Sequence, residues 1–295
     1  MPNKSKYLIL AHVSMFAVAL IYAANFSLAK MIMPLYIGAF AFIFLRVGAA
    51  TILFWIFSWN VKEKIDRKDL PQLVLCGFFG VALNMMTFFK GLEYTTPING
   101  ALIMLLTPIL VSVFSFVILK EKLKWTKIVG LIMGLIGAYI LINQRQNVEW
   151  NANNIPLGNL LVAINAASYG VYLIMIKPLT QKYNYLLLLR WTFTFGFCFV
   201  IPFSWSELTE IRWSEWPAFA YWVLLYVLIA VTFLTYLLNG WALTIVSPAL
   251  VGAYIYLQPL LTSFIAIVGG FDVMNLTMAS ASIFIFIGVY MVGKK

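Results

Sequence analysis

The sequence predicts an all-α integral membrane protein with ten transmembrane helices. Of its 295 residues, 63% are apolar and only 10% are charged, whereas about 25% of the residues in a soluble domain are charged. Apolar stretches of about 20 residues, long enough to cross a ~30 Å hydrocarbon core, recur along the chain. These stretches are continuously apolar, which excludes the alternating strands of a β-barrel. Helices remain, because backbone groups in lipid must be paired internally.

The ten helices are predicted from the apolar stretches in chain order, at residues 7–29, 36–59, 70–92, 97–119, 126–142, 157–176, 185–205, 217–239, 247–268 and 276–293. This composition excludes a cytosolic enzyme, a disordered chain and a disulfide scaffold. Cys76 and Cys198 both lie in apolar runs, and His12 is the only histidine. We therefore expect no metal site and no cofactor.

Basic residues predict the orientation, because cytoplasmic loops of membrane proteins are enriched in Lys and Arg. With a cytoplasmic N-terminus, most of the bases fall in inner segments, at Lys4, Lys6, Lys62, Lys64, Arg67, Lys68, Lys120, Lys122, Lys124, Lys127, Lys177, Lys182, Lys294 and Lys295. The outer loops hold Arg145 and Arg212. Both termini are thus predicted to be cytoplasmic. The net charge of +10 reflects topology, and we expect no nucleic-acid partner.

The chain contains an internal repeat. Pro108 is matched by Pro259 and Tyr139 by Tyr290, both pairs at the same separation along the sequence. The separation drifts in loops and is constant within helices, as expected for divergent structural copies. We therefore predict two copies of one five-helix unit.

An odd number of helices in each copy places the two copies upside down relative to each other. The predicted domains are residues 1–148 and 149–295. The basic loop 120–124 corresponds to 271–275, which carries no Lys or Arg, as expected if the second loop lies outside. Inverted repeats of this kind are typical of secondary transporters, whose substrate site lies between the repeats near the midplane.

The most specific motif lies between residues 88 and 141. It comprises Phe88-Phe89-Lys90-Gly91-Leu92, Pro97, Ala101, Pro108, Lys120-Glu121, Gly130, Gly134 and Gly137, and it is preceded by Tyr22-Ala23-Ala24-Asn25-Phe26 and Leu45-Arg46. Over nearly its whole length the chain resembles the drug/metabolite transporter superfamily, specifically its ten-helix EamA-type exporters. In the second copy, Phe271-Asp272 replaces the usual Gly-Glu, and Ala281 stands where Gly130 would repeat.

The resemblance implies export or facilitated movement of small metabolites, often amino acids. It also implies a multi-pass protein, which we expect in a bacterial inner (plasma) membrane. Gly130 and Gly134 form a small-residue helix face that favours close packing on a neighbouring helix over a dimer seam. We therefore expect a monomer or weak homodimer whose partners are the lipid bilayer and a small-molecule substrate.

Polar and aromatic residues within the predicted spans are candidates for the substrate site, because such side chains are costly in lipid and tend to face a cavity. The predicted substrate-binding residues are Tyr22, Asn25, Asn84, Phe88, Asn99, Asn165, Tyr169, Tyr172, Thr235, Asn239, Tyr254 and Gln258. The spacing of Asn165, Tyr169 and Tyr172 places them on one helix face. Together the set describes a neutral, aromatic-rich cavity, with hydrogen bonding between helices as the alternative role of each residue.

Two prolines and two arginines complete the set of candidates. Pro108 and Pro259 lie near the centres of helices four and nine, where the loss of a backbone hydrogen bond predicts a hinge or, alternatively, a static kink. Arg46 could bind a carboxylate, since a guanidinium matches that group. Arg190 occupies the equivalent position in the second copy, which favours a structural role for both arginines.

These features favour a secondary carrier of a small, polar, neutral or zwitterionic metabolite that works by alternating access. A carrier of larger anions, such as sugar phosphates or nucleotide sugars, is one alternative, but only Arg46, Lys90 and Arg190 could serve it. A membrane-embedded transferase or a non-transporting scaffold is the second alternative. The sequence offers no His/Asp pair or acidic metal cluster, so we predict no catalytic residue. All ten acids lie in loops or at helix ends, which favours a facilitator or exchanger over a proton-driven carrier.

Overall fold

A computed structural model describes residues 4–33, 35–95, 97–122, 124–143, 154–268 and 276–293. In these ranges the chain forms helices and connecting turns without a β-strand, which confirms the predicted all-α class. Eight helices are long and apolar enough to cross a membrane. Two further apolar helices, Trp125–Ile140 and Ala279–Gly293, are shorter. The multi-pass membrane class is therefore clear, while the count of ten spans stays a prediction.

The first half of the chain contains five helical segments. Helix α1 is Lys4–Ile32, and α2 is Ala39–Phe57. Helix α3 comprises Leu70–Gly77, a π-helical stretch Phe78–Ala82 and Leu83–Tyr94. Helix α4 comprises Pro97–Met104 and Thr107–Ile118, and α5 is Trp125–Asn143.

The second half repeats this order of segments. Helix α6 is Ile155–Thr180, and α7 is Tyr185–Thr209. Helix α8 comprises Ala218–Tyr226, a π-helical stretch Val227–Leu234 and Thr235–Ile245. Helix α9 comprises Pro248–Ala253, a 3₁₀ turn Tyr254–Tyr256 and Leu257–Val268, and α10 is Leu276–Gly293.

The contacts between the halves follow the repeat. Helix α1 packs against α8 and α9. Its counterpart in the second half, α6, packs against α3 and α4, which are the counterparts of α8 and α9. Helices α2 and α7, α4 and α9, and α5 and α10 pair with their own counterparts. The two π-helical stretches occupy corresponding helices, α3 and α8. The predicted division after residue 148 lies outside the described residues and stays a prediction.

Helices α5 and α10 approach each other through glycine. A Cβ on Gly130 would lie 2.7 Å from the carbonyl oxygen of Gly288, and a Cβ on Gly137 would lie 2.7 Å from that of Ala281. Real Cβ atoms do not come so close to backbone, so these positions require glycine for the two helices to touch. The small-residue face of α5 is therefore used within the chain. Ala281, fully buried, is accommodated where the repeat would have glycine.

Loops and helix ends that the predicted topology places on the same side of the membrane contact each other. At one end, Lys182 forms ion pairs with Asp66, at 2.9 Å, and with Asp69, and the contact lowers the pKa of the Asp66 carboxyl. At the other end, the Glu207 carboxylate accepts the backbone N–H groups of Phe40 at 2.7 Å and Ala41 at 3.1 Å. The bundle thus has one end joined by charged loops and another where a carboxylate caps α2. The assignment of the first end to the cytoplasm stays a prediction.

Helices α4 and α9 are interrupted next to the predicted hinges. Helix α4 breaks between Met104 and Thr107, directly before Pro108, and the 3₁₀ turn Tyr254–Tyr256 of α9 precedes Pro259. Both prolines then lie in the first turn of the resumed helix, where a missing N–H is tolerated. Both helices are thus interrupted beside these prolines, and bending or movement at the interruptions belongs to the proposed function.

Candidate substrate cavity

A cavity of about 110 Å³ lies between the two halves of the bundle. Helices α1, α2, α3 and α4 of the first half and α6, α8 and α9 of the second contribute to it. Its lining consists of Met15, Val18, Ala19, Tyr22, Asn25, Arg46, Asn84, Met85, Phe88, Phe89, Met104, Asn165, Tyr169, Tyr236, Asn239, Val251, Tyr254, Ile255 and Gln258. The wall is aromatic and amide-rich, with a single charged side chain among the described residues.

Nine of the twelve predicted site residues lie in this lining, namely Tyr22, Asn25, Asn84, Phe88, Asn165, Tyr169, Asn239, Tyr254 and Gln258. Asn99, Tyr172 and Thr235 are not part of it. The cavity also contains residues that the polarity criterion could not select, such as Met85, Phe89 and Ile255. Tyr236, on the same helical turn as Thr235, is the further polar member.

Two of the predicted residues outside the lining support residues inside it. Thr235 donates its hydroxyl to the carbonyl of Val231 at 2.6 Å and shares a hydrogen bond of 3.1 Å with the Tyr22 hydroxyl. Tyr172 is buried with its ring packed on Gly80. Thr235 and Tyr172 therefore lie behind the residues that line the cavity. A helix face turned toward a cavity also carries residues that neighbouring helices cover.

The π-helical stretch of α3 has carbonyls that accept hydrogen bonds from the second half. A π turn disturbs the regular pattern of backbone hydrogen bonds in a helix. Here side chains from α6 and α8 donate hydrogen bonds to carbonyls of the π-helical stretch. Tyr236 donates its hydroxyl to the carbonyl of Gly80 at 2.7 Å, and Ser168 donates to that of Phe79 at 2.5 Å. These contacts fix α6 and α8 against α3 and place the Tyr236 ring at the cavity.

Asn84 and Asn165 connect the two halves through their side chains. The Nδ2 of Asn165 donates to the carbonyl of Asn84 at 2.8 Å, and the Nδ2 of Asn84 lies 3.4 Å from the carbonyl of Asn165. Asn239 donates to the hydroxyl of Tyr169 at 3.4 Å. The Oδ1 atoms of Asn25 and Asn165 are buried and have no hydrogen-bond partner in the described part of the chain. These two oxygens are therefore unused acceptors, and neighbouring atoms cover both of them.

Arg46 is the charged residue of the lining. Its Nε donates to the Thr232 hydroxyl at 2.9 Å, and its guanidinium lies 4.7 Å from the centre of the Phe89 ring. Its Nη1 is buried without a hydrogen-bond partner among the described residues. Arg190, its counterpart by repeat position, instead lies 4.5 Å from the Trp55 ring and outside the lining. Both arginines thus lie beside aromatic rings and have a buried nitrogen without a partner in the described residues; they differ in that Arg46 lines the cavity and Arg190 does not.

Other titratable groups lie around the cavity or away from it. The Nδ1 of His12 is 2.7 Å from the hydroxyl of Tyr254, which lines the cavity. Lys90 pairs with Glu93 at 2.6 Å outside the lining. Across the described ranges, no aspartate or glutamate lines the cavity, and no cluster of three or more metal-binding side chains occurs.

The fold and the cavity define a multi-pass integral membrane protein with a cavity of mixed polar and apolar lining between two related halves. The sequence model of the EamA-like transporter family matches residues 9–143 and again residues 156–294. The chain belongs to the EamA-like transporter family, and so to the drug/metabolite transporter superfamily.

Relatives from three domains of life share this similarity. An uncharacterized transporter of Archaeoglobus fulgidus is 23% identical over 86% of this chain and 87% of its own length. A WAT1-related protein of Arabidopsis thaliana is 23% identical over 92% of this chain and 79% of its own length. The uncharacterized transporter YyaM of Bacillus subtilis is 26% identical over 59% of each chain. The match to the uncharacterized transporter YetK of the same organism spans 52% of YetK. The chain thus spans a little over half the length of these two Bacillus relatives.

A solved crystal structure has the same fold. It superposes with a TM-score of 0.77 over 98% of this chain and 96% of its own, at 18% sequence identity. At that identity the likeness concerns the fold alone.

Proposed function

We propose that this protein is a secondary membrane transporter, an exporter or facilitator, for small polar metabolites, with amino acids or similar zwitterions as the substrate class. The observation that carries the proposal is the central cavity. Both halves line it, and its wall combines amides, tyrosines and one guanidinium. Such a surface suits a small solute with several hydrogen-bonding groups and a balanced charge.

Alternating access is the proposed mechanism. Because the lining comes from both halves, a rocking movement of one half against the other would change which side of the cavity is open. The interruptions before Pro108 and Pro259 provide two places where α4 and α9 can bend. Met104, Tyr254 and Ile255 lie at these interruptions and also line the cavity, so bending there would reshape the site.

The proposed topology has ten spans in two inverted repeats with both termini in the cytoplasm, in a bacterial inner membrane. The charge distribution supports it. The contacts of Lys182 with Asp66 and of Glu207 with the start of α2 also support it, because each joins loops that the topology assigns to one side.

The alternatives have less support. A carrier of larger anions would need several free bases around its site, but Lys90 is paired with Glu93 and Arg190 lies against Trp55. A membrane-embedded transferase or a scaffold is disfavoured by membership of a transporter family.

Solute counterflow with purified protein in proteoliposomes tests the proposal. Vesicles are loaded with one unlabelled amino acid, sugar or nucleoside, and uptake of a trace of the same labelled compound is followed against protein-free vesicles. We expect saturable uptake of at least one small polar solute, recovered chemically unchanged. Uptake equal to that of protein-free vesicles for every class, or a chemically altered solute, would contradict the proposal.

A further inference from the structure

We propose that Arg46 binds the carboxylate of the transported solute, and that Asn25 and Asn165 accept hydrogen bonds from its ammonium group. The inference rests on the proposed transport function and identifies the substrate as a small zwitterion that needs its carboxylate for binding. It assigns Arg46 a binding role where the repeat alone favours a structural one.

The state of the Arg46 side chain is the first argument. The residue is only 4% exposed and lies in the wall of the cavity. One of its donors, Nε, bonds the Thr232 hydroxyl, while Nη1 has no partner among the described residues. A buried guanidinium with an unused donor is unfavourable, because the lost hydration is not replaced. An arriving anion would restore both the hydrogen bond and the charge balance.

No protein carboxylate in the described part of the chain is placed to do this. The acids near the membrane ends are already engaged, Glu93 with Lys90 and Glu207 with the N-terminus of α2. The aromatic faces of Phe42 and Phe89, at 5.5 and 4.7 Å, stabilise the cation in part but accept no conventional hydrogen bond. Carboxylate and phosphate both match the planar donors of a guanidinium, and carboxylate is the smaller of the two groups and the one that a single guanidinium neutralises.

The second argument comes from two unused acceptors in the same wall. Asn165 is 3% exposed, and its Nδ2 is committed to the carbonyl of Asn84, so its Oδ1 is the end that remains unpaired. Asn25, 8% exposed, likewise has an Oδ1 without a partner in the described residues. An ammonium group has three donors and no acceptor, so its chemistry complements these two oxygens.

The third argument is the comparison between the two repeat-equivalent arginines. If the position served only the architecture, Arg46 and Arg190 would have similar surroundings. Arg190 also has a buried nitrogen, Nε, without a hydrogen-bond partner among the described residues, but it lies beside the rings of Trp55 and Trp191, at 4.5 and 5.9 Å, and outside the lining of the cavity. The cavity is thus asymmetric in charge although its scaffold is repeated.

The test is ligand-induced thermal stabilisation of the purified full chain in detergent. The probes are the proteinogenic L-amino acids, each compared with its amide, its decarboxylated amine and the carboxylic acid that lacks the amino group. We expect at least one amino acid to raise the unfolding temperature, its amide and amine to have no effect, and the carboxylic acid to bind more weakly than the amino acid. An amide or amine as effective as the parent, or no effect of any amino acid, would overturn the inference.

Three variants sharpen the test. Arg46→Met is expected to weaken the apparent affinity about 10- to 100-fold, the range of a hydrogen bond to a charged group. Arg46→Lys keeps the charge without the planar donors and should show an intermediate loss. Arg190→Met, the matched control, should bind as the wild type does. Unchanged affinity in Arg46→Met, or an equal loss in Arg190→Met, contradicts the inference.

A purely structural role for Arg46 would give a different pattern. Arg46→Met would then lower the unfolding temperature without ligand, whereas loss of an uncompensated buried charge should leave it near the wild-type value. If Arg46→Met does not fold, the inference is wrong on this ground, and the analogue series on the wild type remains a separate test of the carboxylate. Counterflow of some other solute class would then leave the proposed function standing while this inference fails.

Discussion

Asn165 and Asn84 exchange side-chain to backbone contacts across the boundary between the two halves of the protein. The Nδ2 of Asn165 lies 2.8 Å from the carbonyl oxygen of Asn84, and the reverse contact measures 3.4 Å. Both residues also line the cavity. One pair therefore connects α3 of the first half with α6 of the second at the site itself.

The two members of this pair should contribute unequally to stability. Asn165→Ala removes the shorter hydrogen bond and should lower the free energy of unfolding by about 0.5–1.5 kcal/mol, as for other hydrogen bonds between membrane helices. Asn84→Ala keeps the accepting carbonyl and loses only the longer contact, so its effect should be smaller. Thermal unfolding of both variants in the same detergent measures the difference. A loss in Asn84→Ala that equals or exceeds that in Asn165→Ala would refute this ranking.

Substitutions in the cavity should affect transport more than folding. Gln258 is 9% exposed and lines the cavity, so Gln258→Ala removes hydrogen-bonding groups from the site. In Gln258→Ala we expect counterflow per folded molecule to fall about tenfold, the effect of one lost hydrogen bond with a polar ligand. Asn84→Ala should also clearly reduce counterflow per folded molecule. Folded yield is measured by size-exclusion chromatography.

Gln181→Ala is the matched control for this prediction. Gln181 bonds the carbonyl of Thr244 at 3.2 Å and lies outside the lining, so its transport should stay at the wild-type rate. Wild-type transport per folded molecule in both Gln258→Ala and Asn84→Ala would show that the site lies elsewhere.

The helical architecture was predictable because a continuous apolar run has one stable backbone solution in lipid. The interruptions beside Pro108 and Pro259 also had a sequence signal, but the π-helical departures from the α-helix had none. The π-helical stretches Phe78–Ala82 and Val227–Leu234 contain no proline, and apart from Thr232 their residues are ordinary and apolar. Their hydrogen-bond partners, such as Ser168 and Tyr236 for the first stretch, are distant in sequence, so no local pattern indicates them.

The site was predictable to the extent that polarity within a span reports a cavity. Helix spacing groups Tyr172 with Asn165 and Tyr169, but spacing cannot show that Gly80 of another helix covers Tyr172. Apolar lining residues such as Phe89 give no signal at all. Repeat symmetry favours one common role for Arg46 and Arg190, whereas their neighbours, Thr232 and Trp55, differ.

The inverted topology predicts that two equivalent loops face opposite sides of the membrane. Single cysteines at Lys122 and at Asn275, in a background without Cys76 and Cys198, should react with a membrane-impermeant maleimide from opposite sides of intact cells or oriented vesicles. The reason is that five helices separate equivalent positions, and each crossing changes the side. Labelling of both cysteines from the same side would contradict the inverted repeat.

Transport should not be driven by protons. Within the described chain no carboxylate lines the cavity, and a proton crossing the apolar centre needs a titratable group or a continuous file of water. With substrate at equal concentration on both sides of proteoliposomes, an imposed pH gradient should therefore cause no net accumulation. Accumulation that a protonophore abolishes would contradict this, and His12→Gln would then test the group that contacts Tyr254.

The central claim is that the solute passes through the cavity between the halves, and obstruction of that cavity tests it most directly. Val18, 6% exposed, lines the cavity, whereas Val13 on the same helix is 58% exposed. Counterflow per folded molecule is measured for Val18→Phe and Val13→Phe in parallel. We expect Val18→Phe to reduce counterflow to near the level of protein-free vesicles, whereas Val13→Phe should retain the wild-type rate. Wild-type counterflow in Val18→Phe at matched folded yield would contradict the central claim.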